Sequence, residues 1–253
     1  MCLLAFGYDT HPEYPLVFAG NRDEFYDRPT APAHFWDDAP HVLAGRDLKA
    51  GGAWMGVTRN GWWGVVTNVR APGQYREDAR SRGSLVADYL RQEPDPSQYA
   101  QSIAAEAHAY NGFNLLLGTP ESLYYLSSTD AQPEAVSPGV HGLSNERLDT
   151  PWPKVVAGRE GVRQVLDEEV SPDALLNVLD RREPFPDDRL PDTGVGTETE
   201  RMLSPLFIES DNYGTRCSTV LLMDRRGEVT FVERTFEHGE ATTTRRFSFS
   251  IPS

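Results

Sequence analysis

The chain opens Met1-Cys2-Leu3-Leu4-Ala5-Phe6-Gly7-Tyr8. After the turn Asp9-Thr10-His11-Pro12-Glu13 it runs Pro15-Leu16-Val17-Phe18-Ala19-Gly20 straight into Asn21-Arg22-Asp23-Glu24. Two short apolar runs around a Pro-containing polar turn read as a β-hairpin. The four polar residues are expected to end its second strand, which would set Arg22 beside Cys2. Removal of Met1, which methionine aminopeptidases perform before small residues, would give one residue both a thiol and a free α-amine. Their reference pKa values are about 8.5 and about 7.7–8.0. The amine can therefore take the thiol proton near neutral pH without a separate histidine. A neighbouring guanidinium would favour the thiolate further, and Asp23 could hold Arg22 or the α-ammonium.

Working outward, Gly51-Gly52 leads into Ala53-Trp54-Met55-Gly56-Val57-Thr58. The turn at Asn60-Gly61 then joins it to Trp62-Trp63-Gly64-Val65-Val66-Thr67-Asn68, a hairpin signal. The stretch 28–36 reads as irregular. Leu85, Val86, Tyr89 and Leu90 recur at helical spacing, 97–109 reads as a second helix, and Phe113–Leu117 pairs with Leu123–Leu126. Val155, Val162, Val165 and Leu166 share a helical face. Ser171-Pro172 is a cap followed by proline at the first helical position. Cys217–Met223 and Glu228–Arg234 form a hairpin, and 242–251 alternates as a last amphipathic strand. Strands at both ends with helices between predict an α+β chain, read as a single domain over 1–253. A Pro- and acid-rich surface excursion, or lid, covers about 181–201.

Composition narrows the partners. The 253 residues carry 38 acidic and 24 basic side chains, a formal net charge of −14. That disfavours nucleic acid, which binds through positive surface, and anionic membranes likewise. No apolar run is long enough for a transmembrane segment, and the N-terminus lacks the pattern of a signal peptide. A cytoplasmic location is therefore expected, where a disulfide between Cys2 and Cys217 is not. Cys217 reads as an inert core thiol. The six histidines show no metal-ligand spacing, and no phosphate-binding glycine loop occurs.

Asn68 and Asn145 each close an apolar stretch, where a carboxamide NH2 can donate to a developing oxyanion or bond its own turn. Tyr213-Gly214-Thr215-Arg216 puts an arginine near a strand start, for a substrate anion or a surface ion pair. Trp54, Trp62 and Trp63 read as core more readily than as a cofactor platform.

Taken in order, these strings resemble a known family. Asn21-Arg22-Asp23-Glu24 with Arg28-Pro29, the Met-Cys start, Gly51-Gly52-Ala53-Trp54, Thr67-Asn68, Tyr110-Asn111-Gly112-Phe113-Asn114-Leu115, Gly142-Leu143-Ser144-Asn145, Leu148-Asp149-Thr150-Pro151-Trp152 and Tyr213-Gly214-Thr215-Arg216 together are similar to the NRDE family, also called the transport and Golgi organisation protein 2 family. The resemblance runs over nearly the whole chain. It implies a four-layer α-β-β-α sandwich of the N-terminal nucleophile (Ntn) hydrolase type. It is also similar, more distantly, to the bile-salt hydrolase and penicillin acylase group, which implies site roles for Cys2, Arg22, Asp23, Asn68, Asn145 and Arg216. In that group the Arg and the acid lie two residues apart, whereas Arg22 and Asp23 are adjacent.

Two functions follow as expectations. One is a Cys amidohydrolase cleaving an amide or thioester, with an apolar acyl group if the tryptophans line its pocket; it requires no cofactor. The other is a non-catalytic carrier of apolar cargo, haem or a lipid such as an acyl-CoA, with Cys2, His108 or His141 as candidate haem ligands.

Overall fold

The computed structural model describes residues 2–252, which group into two compact units. The first comprises residues up to Asp27 together with Pro138–Ser248, and the second Arg28–Ser137 with the residues from Phe249 onward. Among the described residues no helix is long and apolar enough to cross a membrane.

The first unit is built on a six-stranded antiparallel sheet in the order β10-β1-β2-β11-β12-β13. Its strands are β1 (Cys2–Tyr8), β2 (Leu16–Phe25), β10 (Gly139–Leu143), β11 (Tyr213–Met223), β12 (Glu228–Glu237) and β13 (Glu240–Ser250). Strands from the two ends of the chain thus pair at its centre, β2 beside β11. Ala5, Val17, Ala19, Val220, Leu222 and Val232 cover one face of this sheet. They pack on Val162 and Val165 of α3 (Pro153–Asp167) and on Leu175, Leu176 and Leu179 of α4 (Pro172–Leu179). Of the stripe its periodicity foretold on α3, Val162, Val165 and Leu166 pack here, whereas Val155 packs with Leu3 and Trp152. Ser171 caps α4 by accepting from the Ala174 N–H (3.3 Å), ahead of Pro172 at its first turn.

The second unit is a seven-stranded antiparallel meander, each strand beside the next in sequence. It contains β3 (Thr30–Trp36), β4 (Ala39–Asp47), β5 (Met55–Thr58), β6 (Trp63–Asn68), β7 (Phe113–Gly118), β8 (Leu123–Ser127) and β9 (Glu134–Ala135). Helices α1 (Arg82–Gln92) and α2 (Pro96–Ala105) interrupt the meander between β6 and β7. Leu85, Val86, Tyr89 and Leu90 of α1 and Ala100 and Ile103 of α2 share a core with Val66, Leu115 and Leu117.

β2 takes in the polar residues expected at its end and closes at Phe25, with Asn21, Arg22 and Asp23 themselves buried. Two readings change. Residues 30–36 form an edge strand, β3, rather than irregular chain; Pro32 suits an edge, and a bulge at 31–34 breaks the alternation that would have revealed it. The second helix stops at Ala105, and 107–109 form a 3-10 turn.

Trp63 is buried, and Trp62 packs against the core of its unit and donates its indole N–H to the Pro94 carbonyl (2.9 Å). Both are framework residues. The excursion 181–201 holds a 3-10 turn and begins α5 (Thr197–Met202). Most of it is exposed, but Phe185 is buried with Leu3, Trp152, Val155 and Leu206.

Candidate functional site

Pairing of β1 with β2 puts Cys2 opposite Arg22, and pairing of β2 with β11 puts Cys217 opposite the same arginine. Cys2, Arg22 and Cys217 therefore stand in one row across three strands. Side chains alternate along a strand, so this row lies on the face turned away from α3 and α4. Cys2 and Cys217 are free thiols. Two strand spacings separate their backbones by roughly 9–10 Å, beyond the ~7 Å limit for a disulfide.

The polar run at 21–24 is divided by the same alternation. Asn21 and Asp23 fall on the helix-covered face, and Arg22 and Glu24 on the other. Asn21 donates from Nδ2 to the carbonyls of Leu179 (3.0 Å) and Leu206 (2.8 Å), and its Oδ1 accepts from Ser218 Oγ (2.6 Å). It is a clamp between the sheet and the chain covering it. Asp23 Oδ1 accepts from Thr215 Oγ1 (2.7 Å), and its main-chain carbonyl accepts from the Tyr213 hydroxyl (3.0 Å). Its backbone N–H donates to the Cys2 sulfur. Arg22 lies 3.8 Å from Glu24 Oε2.

A bulge brings in Arg216. Thr215 pairs with Asp23 and Cys217 with Arg22, so Arg216 is the extra residue between them. The bulge keeps both Thr215 and Cys217 buried while Arg216 stays half-exposed, its Nη1 donating to the Phe25 carbonyl (2.8 Å). On the other side of β1, Leu4 pairs with Leu143 of β10. Immediately beyond, Ser144 Oγ contacts the Cys2 carbonyl (3.0 Å) and Asn145 Oδ1 (3.1 Å). The bond to Oδ1 orients the fully buried Asn145 amide so that its donor end points away from Ser144.

Asp149 steadies the turn that follows. Its Oδ1 accepts from the Gly142 N–H (2.8 Å), and its Oδ2 lies 2.7 Å from His141 Nδ1. His141 is thus engaged with a carboxylate, while His108 is an exposed residue of the second unit. Among the described residues no group of three or more His, Cys, Asp or Glu could hold a metal ion.

The electrostatics follow from burial. Burial pushes the Cys2 thiol above its ordinary pKa and the Asp23 charge adds to this, while the Asp23 N–H and the Arg22 guanidinium pull it down. Burial also raises the Asp23 carboxyl, against the opposing pull of Lys154, the Thr215 hydroxyl and Arg22. Burial, with Asp23 behind it, drives the Tyr213 phenol well up. Burial drives Cys217 well up too, so it stays a thiol, the inert role expected of it. Burial lowers the Arg216 guanidinium, with Arg22 pushing the same way.

Cys2, Arg22, Asp23, Asn145 and Arg216 therefore all lie in the first unit, Cys2 and Arg22 on one face of its sheet and Asp23 on the other. Asn68 is the last residue of β6 in the second unit, half-buried, with Phe113 opposite it in register. Sequence reasoning missed Ser144, Thr215 and Lys154, which hold or charge the others. Ser144 and Thr215 sat inside strings already singled out. Lys154 was one of only two lysines, a bias that could have marked it.

The family model for Transport and Golgi organisation 2 matches residues 1–238. The chain is 35% identical to the Transport and Golgi organization 2 homolog of Mus musculus and 36% identical to the Homo sapiens homolog, over the whole of both chains in each case. It is 28% identical to the Drosophila melanogaster protein over 96% of each chain. Among solved structures it is similar to a mutant conjugated bile acid hydrolase from Clostridium perfringens, with a TM-score of 0.54 at 7% identity over 99% of this chain and 98% of that one. It is also similar to a Caenorhabditis elegans ortholog of N-acylethanolamine-hydrolyzing acid amidase, with a TM-score of 0.51 at 10% identity over 87% and 92%. At such identities the likeness concerns the fold alone, which is of the Ntn-hydrolase type. With that fold, and with relatives matching end to end, the chain belongs to the Transport and Golgi organisation 2 family.

Proposed function

We propose that the protein is an amidohydrolase that uses Cys2 as an N-terminal nucleophile on an amide or thioester with an apolar acyl group. The carrying observation is the placement of Cys2 opposite Arg22, joined through Ser144 to the Asn145 carboxamide. After removal of Met1, the Cys2 α-amine takes the thiol proton. The sulfur attacks the carbonyl carbon, and the resulting oxyanion accepts a hydrogen bond from Asn145. Collapse breaks the C–N or C–S bond, and the α-ammonium returns its proton to the leaving group. Water then attacks the acyl-cysteine, losing a proton to the α-amine, and a carboxylic acid leaves as the thiol re-forms. Arg22 offsets the negative charge on sulfur, and Arg216, half-exposed, orients a polar or acidic part of the substrate. Both structural neighbours are named as enzymes cleaving acyl amides or conjugates, which fits this reading.

Intact-protein mass spectrometry tests it. An electrophilic acyl probe should add one acyl mass, mapped to Cys2, and Cys2→Ala should abolish the adduct. Labelling that survives Cys2→Ala removes this residue from the mechanism. Saturable binding of haem or an acyl-CoA without turnover would favour the carrier reading instead.

A further inference from the structure

The chain that carries Asn145 leaves β10 after Leu143 and comes back to it at Asp149. The two ends of this loop are tied in both directions. The Asp149 N–H donates to the Gly142 carbonyl (2.8 Å), and the Gly142 N–H donates to Asp149 Oδ1 (2.8 Å). The other carboxylate oxygen lies 2.7 Å from His141 Nδ1. Arg159 of α3 reaches Oδ1 at 3.5 Å while its Nε donates to the Val140 carbonyl (3.1 Å). One side chain thus joins the returning chain to β10 and to α3 together. Gly142 leaves room for this, since a Cβ there would run into Val155 and the Arg159 stem. Asp149 itself holds φ +61°, a left-handed backbone that aspartate accepts more readily than most residues.

Between these ends Asn145 is fully buried, its Oδ1 bonded to Ser144 Oγ, which also reaches the Cys2 carbonyl. A donor stabilises an oxyanion only if it is fixed in place before the charge develops, and a misplacement of about 1 Å can cost about 100-fold in rate. On the entry side strand register does the fixing, because Leu143 pairs with Leu4 of β1 just before Ser144. On the return side Asp149 supplies the ties. We infer that Asp149 is a positioning residue, the knot that closes the Gly142–Asp149 loop and so sets the Asn145 carboxamide relative to Cys2. The inference rests on the nucleophile reading for its use, since the carboxamide has an oxyanion to meet only if Cys2 attacks a carbonyl.

The test compares two reactions of one sulfur. Acyl transfer to Cys2 passes through an oxyanion, whereas alkylation by iodoacetamide displaces iodide and forms none. Asp149→Gly removes the carboxylate at a position whose positive φ glycine takes freely. The maximal rate of Cys2 acylation by the acyl probe should fall on the order of tenfold, short of the roughly 100–1,000-fold of losing an oxyanion donor outright. The half-saturating probe concentration and the rate of Cys2 alkylation should stay at their wild-type values. Asp149→Asn keeps an oxygen for the Gly142 N–H and should recover part of the acylation rate. Should Asp149→Gly fail to fold, Asp149→Asn carries the test with a smaller fall, again confined to acylation. Acylation unchanged in the variant that folds, or acylation and alkylation falling together, would overturn the role. If wild-type Cys2 takes no acyl group, the nucleophile reading fails and hydrogen exchange of the Asn145 side-chain amide decides the positioning by itself. Exchange faster on the order of tenfold in the variant upholds the knot, and equal rates overturn it.

Discussion

Replacing Asn21 by alanine should unfold the first unit far more readily than it disturbs local chemistry. The Asn21 side chain is fully buried and makes three hydrogen bonds, two donated to the carbonyls of Leu179 and Leu206 and one accepted from Ser218. Each contributes about 1 kcal/mol net, and stranding buried partners adds about 1–2 kcal/mol in total. The expected loss is about 4–5 kcal/mol, a large share of the ~5–15 kcal/mol that holds a folded protein together. For a chain of this length, each kcal/mol lowers the melting temperature by about 2–4 °C, so a fall of about 8–20 °C is expected. Ser218→Ala removes one of the three bonds and should cost only about 1–2 kcal/mol. Because the two side chains touch, the double variant should cost less than the sum of the singles. Urea denaturation followed by circular dichroism gives all three values. The reasoning fails if Asn21→Ala costs under 1 kcal/mol, or if Ser218→Ala costs as much as Asn21→Ala.

Other perturbations test the surroundings. In Gly118→Ala the new Cβ would run into the buried Trp63 indole, so the ring or its strand must shift; a loss of about 3 kcal/mol, the top of the overpacking range, is expected in the same assay. Asp149 has φ +61°, a conformation asparagine tolerates, so Asp149→Asn isolates the charge from the backbone. Burial pushes the Asp149 carboxyl up, but the bonds from His141 and Gly142 and the Arg159 charge outweigh it and hold the carboxyl below its usual range. Its stabilising contribution is therefore present above the unfolded value of about 3.9 and is lost as pH falls through the lower folded value. Wild type should exceed Asp149→Asn in stability at pH 7, and the gap should narrow steadily as the buffer is acidified below pH 4. A gap that is constant with pH would mean the carboxylate does not hold the turn.

Much of this molecule was written locally. The hairpin of β1 and β2 follows from two apolar runs around a polar turn, and its register alone puts Arg22 opposite Cys2. The caps and stripes of α3 and α4 follow from Ser171-Pro172 and from valines one turn apart. Period-two alternation even implies that Asn21-Arg22-Asp23-Glu24 cannot be one cluster, since its members must point to both faces. What alternation could not say is that Asn21, Arg22 and Asp23 are buried. Four polar residues read as a strand end unless something buries them, and their partners lie far off in sequence: Leu179 and Leu206 for Asn21, Thr215 for Asp23. The strand β3 was hidden likewise, because an edge position excuses a proline that a central strand would reject.

The order of residues thus determined that a cysteine and an arginine would share a strand pair, since pairing across a short turn needs no distant partner. Only the folded chain decided what surrounds them. The β11 bulge that delivers Arg216 and the Ser144 hydroxyl that reaches the Cys2 carbonyl each depend on segments more than a hundred residues apart in sequence. Such contacts form when the apolar faces of separate elements are withdrawn from water together, and no local pattern encodes which polar groups are carried in with them.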